Sequence, residues 1–290
     1  MEMGKIGAWV STNALNREEL VELAHGVEDL GYDTLWYPES TTYESLAMGS
    51  YLLANSTKLK VASGIANIYA RDPFTAISGH NSLNTLYGDR FCLGLGVSHV
   101  PLVTGRRGHA FGKPVATMRT YLEGMAEAEV DLKVPSHNVV LAALGPKMLE
   151  LSRDMTEGSL PYCVTPEHTS MAKEIMGPDR WLCVEQKIVF TQDETVARGV
   201  AARNMARYLA MPNYCNNWLR IGFSERELEG GGNERFLDAM VLWGSEDNIR
   251  RGLQAHIQAG ATQLVIQPLD PSGKSTPDWN ALKTFRPETW

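Results

Sequence analysis

The chain has 290 residues, of which 43% are hydrophobic and 21% charged, and its formal net charge at pH 7 is −7. This composition is typical of an ordinary globular protein that can bury a sizeable core. The negative charge and the lack of a Lys- and Arg-rich run argue against a surface for nucleic acids or anionic membranes, so we expect small molecules as partners.

The four cysteines occur without a C-x-x-C pair and without a histidine at metal-ligand spacing. This pattern predicts reduced thiols and no metal site, with Cys92, Cys163 and Cys183 as core residues. The N-terminus leads into a strand rather than into a signal sequence, and no apolar run reaches membrane-spanning length. These features indicate a cytoplasmic protein.

Strands and helices alternate along the first third of the chain. The apolar patterns predict helices at about 16–30, 43–54 and 73–87, and strands at 5–11, 34–37, 60–66 and 91–96. Equivalent strand positions, at Ile6, Thr34, Val61 and Cys92, are 28, 27 and 31 residues apart. Such spacing is the length of one strand, one returning helix and their turns, so four consecutive βα units are predicted.

The alternation continues to the end of the chain with one interruption. Helices are predicted from Pro114 and Gly145 and at 166–176 and 246–259, and strands at 138–144, 160–164, 182–190 and 262–267. Two long helices, at 194–209 and about 233–242, interrupt the pattern after the seventh strand. Eight strands that are apolar enough for burial on both faces favour an α/β fold, the (β/α)8 TIM barrel. We expect one domain, residues 1–290, with a helical insertion at about 193–243 between strands seven and eight.

An open, doubly wound sheet would show the same alternation of strands and helices. Its nucleotide-binding form needs a turn with three glycines after the first strand, but residues 10–16 contain none. Gly94 and Gly96 supply only two glycines of that motif, after the fourth strand. The barrel is therefore the favoured architecture.

The segment at residues 90–99 is an apolar strand that ends in two glycines followed by polar groups. Gly94 and Gly96 leave alternate positions on one face of this strand without side chains. Such a surface is expected where a flat ligand or another backbone approaches closely. His99 stands just beyond it and could donate or accept a proton near neutral pH. The alternative is a histidine on the surface or in an interface.

In a barrel, the C-terminal ends of all strands lie at one mouth. The residues predicted there have few charges and several glycines, which favours a planar ligand over a metal ion. Glu39 is either a general acid or a partner for a ring, or it is a solvated loop carboxylate. Gly145, Pro146 and Lys147 form either a phosphate site at a helix start or an ordinary turn.

Several segments that are weak alone occur together in an order and spacing that resembles a known family. They are residues 31–36 (GYDTLW), 63–67 (SGIAN) with 71–73 (RDP), 88–96 (GDRFCLGLG), 113–114 (KP) and 141–146 (LAALGP). On these segments the chain resembles the luciferase-like monooxygenase superfamily of flavin and deazaflavin oxidoreductases. Within it, the chain is most similar to the actinobacterial branch that uses coenzyme F420.

The resemblance implies a (β/α)8 barrel with an insertion, and a cis peptide bond between Gly64 and Ile65 that supports the central ring of the cofactor. It also implies that coenzyme F420, or alternatively FMN, lies along the strand tips. The cofactor-binding positions so implied are Glu39, Gly64, Ile65, Asn67, Gly96, Val97, Ser98, Ala142, Ala143, Leu144, Gly145, Pro146 and Lys147.

The chain departs from the family pattern at two places. Deazaflavin dehydrogenases of the family carry an Asp-His pair at the second strand tip and a Glu after the fourth strand. This chain has Glu39 and Ser40 at the first place and His99 at the second. Sugar-phosphate dehydrogenase activity is therefore not expected. The candidate catalytic residues are His99, Glu39 and Ser40, with His99 as the proton donor or acceptor.

The resemblance implies an oxidoreductase that transfers a hydride between coenzyme F420 and a small carbonyl, alcohol or activated double bond. One alternative is an FMN-dependent luciferase-like monooxygenase, and another is a barrel that binds a ligand without catalysis. A homodimer is also implied, with a face from helical residues that could instead pack on the barrel: Leu46, Met48, Leu52, Leu53, Ile77 and Leu83. The substrate would be selected by loop residues such as His109, Phe111, Tyr214, Asn217 and Trp218.

Overall fold

The computed structural model describes residues 1–135 and 137–290 and shows a closed barrel of parallel strands with helices around it. The predicted TIM barrel is thereby confirmed. The described strands are β1 (Ile6–Trp9), β2 (Thr34–Tyr37), β3 (Lys60–Ser63), β4 (Ala66–Asn67), β5 (Phe91–Gly96), β6 (Val139–Leu141), β7 (Gly158–Ser159), β8 (Trp181–Val189), β9 (Val241–Trp243) and β10 (Gln263–Pro268).

The barrel closes because β10 pairs with β1 on one side and with β8 on the other. The order around it is β1, β2, β3, β5, β6, β7, β8 and β10. β3 and β4 occupy the same place in the barrel, because they pair one after the other with β5. β9 pairs with the C-terminal end of β8, so it extends the sheet beyond the barrel proper.

Helices follow the strands around the outside of the barrel. The described α-helices are α1 (Arg17–Asp29), α2 (Ser45–Ala54), α3 (Pro73–Tyr87), α4 (Pro114–Glu127), α5 (Pro146–Met155), α6 (Pro166–Met176), α7 (Glu194–Leu209), α8 (Pro212–Arg220), α9 (Glu225–Leu228), α10 (Glu234–Met240), α11 (Glu246–Gln258) and α12 (Trp279–Thr284). None of these described helices is both long and apolar enough to cross a membrane.

Local sequence explains where the first helices begin. α1 starts with a capping box, in which Asn16 Oδ1 accepts from Glu19 N and the Glu19 carboxylate accepts from Asn16 N. α3 starts after Asp72, whose side chain accepts from Thr75 N, and Pro73 occupies its first turn. Four more helices, α4, α5, α6 and α8, also begin with proline.

Two apolar layers lie against the barrel strands, one outside and one inside, and a third apolar cluster joins α7, α8, α10 and β9. A large layer lies between strands and helices, and it contains most of the residues proposed for a dimer face: Met48, Leu52, Leu53, Ile77 and Leu83, with Leu46 packed against them. These side chains therefore pack within the chain, and a homodimer stays a prediction that they do not support. The smaller layer fills the barrel: Trp9, Trp36, Ala62, Cys92, Val140, Leu160, Cys183 and Val265.

The two glycines of β5 make room for the chain itself. A Cβ on Gly94 would overlap the carbonyl oxygen of Ser63. Ser63 Oγ donates a hydrogen bond to Gly94 O and accepts one from Gly94 N, both at 2.9 Å. A Cβ on Gly96 would overlap the side chain of Ile65. The glycine surface was expected to face either a flat ligand or another backbone. At Gly94 the structure shows the second case, the close approach of the Ser63 backbone. The peptide bond between Gly64 and Ile65 is cis, as the resemblance implies.

The structure differs from the sequence prediction in several segments. β7 covers only Gly158–Ser159 instead of 160–164, because Pro161 has no N–H to pair and Cys163 has a φ of +57°. The predicted helix at 233–242 ends at Met240, and the chain then enters β9. Further elements were not predicted: α8, α9, α12, a π-helix at Pro101–Arg106, and short 3-10 helices at Glu229–Gly231 and Pro287–Thr289.

Gly94→Ala should destabilise the barrel, because the added methyl group would collide with a backbone oxygen that no rotamer change can move. We expect the free energy of unfolding to fall by about 3 kcal/mol, measured by urea denaturation. Gly105→Ala is the control: a Cβ there meets nothing within 4 Å, so stability should stay equal or rise slightly. Equal stability of the two variants would contradict this account of β5.

Candidate active site

The C-terminal ends of the strands meet at one mouth of the barrel, as the parallel topology requires. The predicted site residues lie at the tips of β2, β4, β5 and β6. Because these strands are neighbours around the barrel, the residues form an arc along one half of the mouth. The other half is made by β1, β7, β8 and β10.

Glu39 lies at the tip of β2 with only 3% of its side chain exposed. Its Oε2 accepts from Asn67 N at 2.6 Å and from Arg71 Nη1 at 3.1 Å. Its Oε1 accepts from Arg71 Nη2 and from Ser45 N, the latter at 3.3 Å. Four donors of the chain fill the acceptor sites of this carboxylate. The solvated loop carboxylate is not what the structure shows, and the geometry favours a positioning role over the predicted general-acid or ring-binding role.

Ser40 and two residues at the tip of β1 form a half-buried chain of hydrogen bonds. Ser40 Oγ donates to Asn13 Oδ1 at 2.8 Å, and Asn13 Nδ2 donates to Ser11 Oγ at 3.4 Å. The hydroxyl proton of Ser40 is therefore already committed. This side chain can accept a hydrogen bond from a ligand more readily than it can donate one.

His99 is half-buried just beyond β5 and packs against α8. Its ring centroid lies 6.0 Å from that of Tyr214, at an interplanar angle of 38°. Burial lowers the pKa of His99 below its ordinary value, the nearby Arg207 guanidinium lowers it further, and the Asn213 side chain opposes the shift. The imidazole is therefore neutral at pH 7 and keeps a nitrogen that can accept a proton.

An apolar wall lies between the tips of β4 and β5. It consists of the half-buried side chains of Ile65 and Val97, with Ile65 lying over Gly96. Ser98 follows with a φ of +58°, which turns the chain out of the strand. Beside the wall, Asn67 is 2% exposed, and its Nδ2 has no hydrogen-bond partner in residues 1–135 and 137–290.

The start of α5 faces the polar side chain of Arg220 on α8. Gly145 is its N-cap, and no side chain in the described part of the chain caps the helix. Both terminal nitrogens of Arg220 lie 3.8 Å from the position of a Cβ on Gly145, and Arg220 Nη1 donates to Asn217 Oδ1 at 2.9 Å. Asn217 is fully buried, and its Nδ2 finds no partner among the described residues. The N–H of Lys147 in the first turn of α5, a guanidinium and an unsatisfied amide together suit an anion.

The other implied cofactor positions on β6 and α5 differ in exposure. Ala142 and Leu144 are half-buried, whereas Ala143 is buried in the core, so only its backbone can face the mouth. Pro146 occupies the first turn of α5, and Lys147 is exposed. Lys147 can therefore reach a ligand only from the solvent side.

A charged cluster on β8 was missed by the sequence analysis. Lys187 is fully buried, and its Nζ donates to Cys163 Sγ at 3.0 Å and to both Glu185 oxygens at 3.1 Å. The same ammonium lies 3.6 Å from the ring centroid of Tyr162. Burial would lower the pKa of Lys187, but Cys163 and Glu185 raise it above its ordinary value, so the ammonium stays charged.

The cluster also changes the interpretation of Cys163, which was predicted to be a core residue only. Burial raises the pKa of Cys163 to about 12, so the thiol stays protonated beside the ammonium. The sequence does contain a signal for the cluster. Glu185 and Lys187 are two residues apart in an apolar strand, and such residues point to the same face.

The loop residues named for substrate selection separate into two groups. Tyr214, Asn217 and Trp218 lie on α8, and Trp218 Nε1 donates to Cys163 O at 2.9 Å. The helix is thereby fixed over the strand tips. His109 and Phe111 instead stack on Tyr69, and their ring centroids lie 6.4 Å and 5.9 Å from the centroid of the Tyr69 ring. His109 and Phe111 therefore lie beside the tip of β4.

The mouth also contains a cavity of about 490 Å3 that the sequence analysis did not foresee. The tips of β1 and β10, the chain after β10 and helix α7 line it. Its walls include Trp9, Ser11 and Asn13 from the β1 side, and Arg203 and Lys274 from the other side.

Comparison with known proteins agrees with this architecture. The family model for luciferase-like monooxygenases matches residues 2–175. A protein of Mycobacterium tuberculosis, provisionally named as a coenzyme F420-dependent oxidoreductase, is 23% identical over 331 aligned positions. That alignment covers 92% of this chain and 94% of the relative.

Two solved structures have the same fold, and their names give different cofactors, coenzyme F420 for one and FMN for the other. The coenzyme F420-dependent tetrahydromethanopterin reductase of Methanopyrus kandleri has a TM-score of 0.73 and 16% identity, covering 99% of this chain and 98% of its own. The oxygenating constituent of the 3,6-diketocamphane monooxygenase of Pseudomonas putida, in complex with FMN, has a TM-score of 0.70 and 14% identity, with coverages of 99% and 98%. At such identities the likeness establishes the fold alone.

Removing the charge of Glu39 should destabilise the mouth. Glu39→Gln leaves the buried Arg71 without its main partner, and we expect the free energy of unfolding to fall by about 3 kcal/mol. Glu44→Gln is the matched control, because it removes the half-exposed partner of the same arginine and should cost less than about 1 kcal/mol. Urea denaturation measures both. A smaller loss for Glu39→Gln than for Glu44→Gln would contradict the positioning role.

Proposed function

The chain belongs to the luciferase-like monooxygenase family, and from that membership we propose that it uses coenzyme F420 to transfer a hydride to or from a small organic substrate. The name of the Mycobacterium tuberculosis relative, which aligns with 92% of the chain, supports this choice of cofactor. The proposed substrate is a small carbonyl, alcohol or activated double bond.

The observation that carries the proposal is a set of buried polar atoms without partners along the arc. Asn67 Nδ2 lies beside the apolar wall, and Asn217 Nδ2 lies near the start of α5; within the described residues neither is hydrogen-bonded. An unsatisfied buried polar atom is unfavourable by about 1–3 kcal/mol, so these atoms favour a bound polar ligand. A ligand with a polar ring at one end and a phosphate at the other fits both places.

The residues divide the binding task in a simple way. Arg220, Asn217 and the N–H of Lys147 would hold the phosphate, and Ile65 and Val97 would support one side of the ring. When bound, coenzyme F420 supplies a carrier that moves two electrons as a hydride. The chain itself orients the partners and excludes water from the reacting atoms.

His99 is the proposed proton-transfer residue. Its neutral imidazole accepts the hydroxyl proton of an alcohol at a free ring nitrogen, and the protonated ring returns it in the reverse direction. Ser40 would accept a hydrogen bond from the substrate through Oγ, because its own proton is given to Asn13. Glu39 acts through Asn67 and Arg71 and is a positioning residue.

The second candidate function is an FMN-dependent monooxygenase, because the matching family model is that of luciferase-like monooxygenases and one protein of the same fold is described in complex with FMN. The phosphate site at α5 would hold the phosphate of either cofactor. The two functions therefore differ in which ring system, deazaflavin or flavin, binds beside Ile65 and Val97. A barrel that binds a ligand without catalysis is the third candidate, and it would bind a cofactor but show no turnover.

Cofactor titration separates these functions. We expect coenzyme F420 to bind and FMN to bind at least tenfold more weakly, measured by isothermal titration calorimetry. Arg220→Gln should raise the Kd for coenzyme F420 about tenfold, because a charge-assisted contact to the phosphate is lost. Arg226→Gln, an exposed neighbour on α9, is the control and should leave Kd unchanged. Tight FMN binding without coenzyme F420 binding would establish the second candidate instead.

The pH dependence of alcohol oxidation should report the titration of His99. The neutral imidazole is the active form, so activity is present above its pKa and is lost as the pH falls through it. Because burial and Arg207 lower that pKa, the acid limb of kcat/KM should lie below pH 6.5. Arg207→Gln should move the limb to higher pH, whereas Lys283→Gln on α12 should not. An unchanged limb in His99→Gln would rule out the proton-transfer role.

A further inference from the structure

We propose that the 490 Å3 cavity between β1, β10 and α7 is the substrate subsite and that it takes a small organic anion, a carboxylate on an aromatic or unsaturated body. The proposal rests on the function proposed above and adds the substrate class. Its volume lies within the usual range for small-molecule sites. In the strand order, β1 lies four positions from β6, so the cavity and the phosphate site at α5 occupy opposite sides of the mouth.

Trp9 is the aromatic base of the cavity, and Tyr162 supports it from outside the lining. Trp9 packs on Tyr162 with ring centroids 5.4 Å apart, and Tyr162 OH donates to Gln267 Oε1 at 2.9 Å. The indole nitrogen of Trp9 lies 2.9 Å from the position of a Cβ on Gly64. The base of the cavity therefore adjoins the chain segment that is proposed to support the cofactor ring, which places a substrate beside the reacting ring.

Trp9 also provides an unsatisfied donor. The residue is 5% exposed, and its Nε1 has no acceptor anywhere in the described ranges. On the α7 side, the amide of Asn204 also has an oxygen without a partner among these residues. The oxygen and nitrogen of an amide can exchange places by rotation, so Asn204 can present either atom to a ligand.

Two cations stand at the rim. Arg203 projects from α7 so that its Nη2 lies 3.5 Å from the position of a Cβ on Gly273, and Lys274 follows in the same loop. Neither cation forms an ion pair with another described residue. The one carboxylate of the lining, Asp270, accepts from the N and Oγ of Ser272.

This arrangement has a net positive rim in a chain whose net charge is −7. A rim of unpaired cations above an aromatic base favours a ligand with a charged end and an apolar body, because each part then meets its complement. A neutral carbonyl compound would contact Trp9 at the bottom of the cavity, but it would leave Arg203 and Lys274 without a charged partner. The carboxylate would lie at Arg203 and Lys274, with the body extending toward Trp9.

The test compares two probes of nearly equal shape, cinnamate and cinnamamide, which differ in charge. Isothermal titration calorimetry with the cofactor-loaded protein should show cinnamate binding at least fivefold more tightly. The double variant Arg203→Gln, Lys274→Gln should weaken cinnamate binding about tenfold and change cinnamamide binding less than twofold. Lys283→Gln is the control and should change neither. Equal affinity for the two probes, or cinnamate binding that survives the double substitution, would overturn the proposal.

Two further outcomes are distinguishable. If the protein binds FMN instead of coenzyme F420 but keeps the preference for cinnamate, the proposed function fails and the anion subsite stands. If coenzyme F420 with its anionic tail abolishes cinnamate binding and a cofactor shortened after the phosphate does not, the cations hold the tail and the subsite assignment is wrong. Should the double variant not fold, Lys274→Gln alone, at an exposed loop position, should still weaken cinnamate binding about threefold.

Discussion

One buried charge interaction, between Glu39 and Arg71, organises half of the barrel mouth. Two charges removed from water must satisfy each other and all of their remaining hydrogen-bonding groups. The carboxylate does so by also accepting from Asn67 N and Ser45 N, which brings the tips of β2 and β4 and the start of α2 together at one side chain. The backbone N–H of Glu39 donates to Ile65 O at 3.3 Å. The apolar wall is therefore held in place by an interaction that no ligand needs to complete.

A second buried charge fixes the opposite half. Lys187 binds Glu185 and Cys163 beneath the ring of Tyr162, and the Tyr162 hydroxyl is 3.0 Å from that of Tyr208 on α7. The barrel strand β8 is thereby linked to the helical segment that covers the mouth. Breaking a buried pair of this kind by removing one partner costs about 3–5 kcal/mol, so each half of the mouth has its own rigid centre. The first centre lies within the arc, and the second lies against Tyr162, which packs on the cavity residue Trp9.

Local properties of the sequence explain why the barrel could be predicted. Strands buried on both faces and spaced by one helix are visible in the pattern itself, and the topology then places Glu39, His99 and Gly145 at one mouth. The side-chain partners could not be predicted in the same way. The donors to Glu39 come from three separate segments, and Cys163 meets Lys187 only because the chain turns at a left-handed residue. The cavity depends on the path of the last loop, which has no periodic signal.

The polar groups of the mouth fall into two classes with different consequences. The charged groups, such as Glu39 and Lys187, are fully paired within the chain and keep the strand tips in place whether or not a ligand is bound. The unsatisfied groups, Asn67 Nδ2, Asn217 Nδ2 and Trp9 Nε1, are neutral and unpartnered within the described residues. Leaving a neutral donor unsatisfied costs far less than leaving a charge unpaired, so the fold can carry several such donors. A ligand that supplies their acceptors recovers that free energy on binding, and this links occupancy of the mouth to the stability of the barrel.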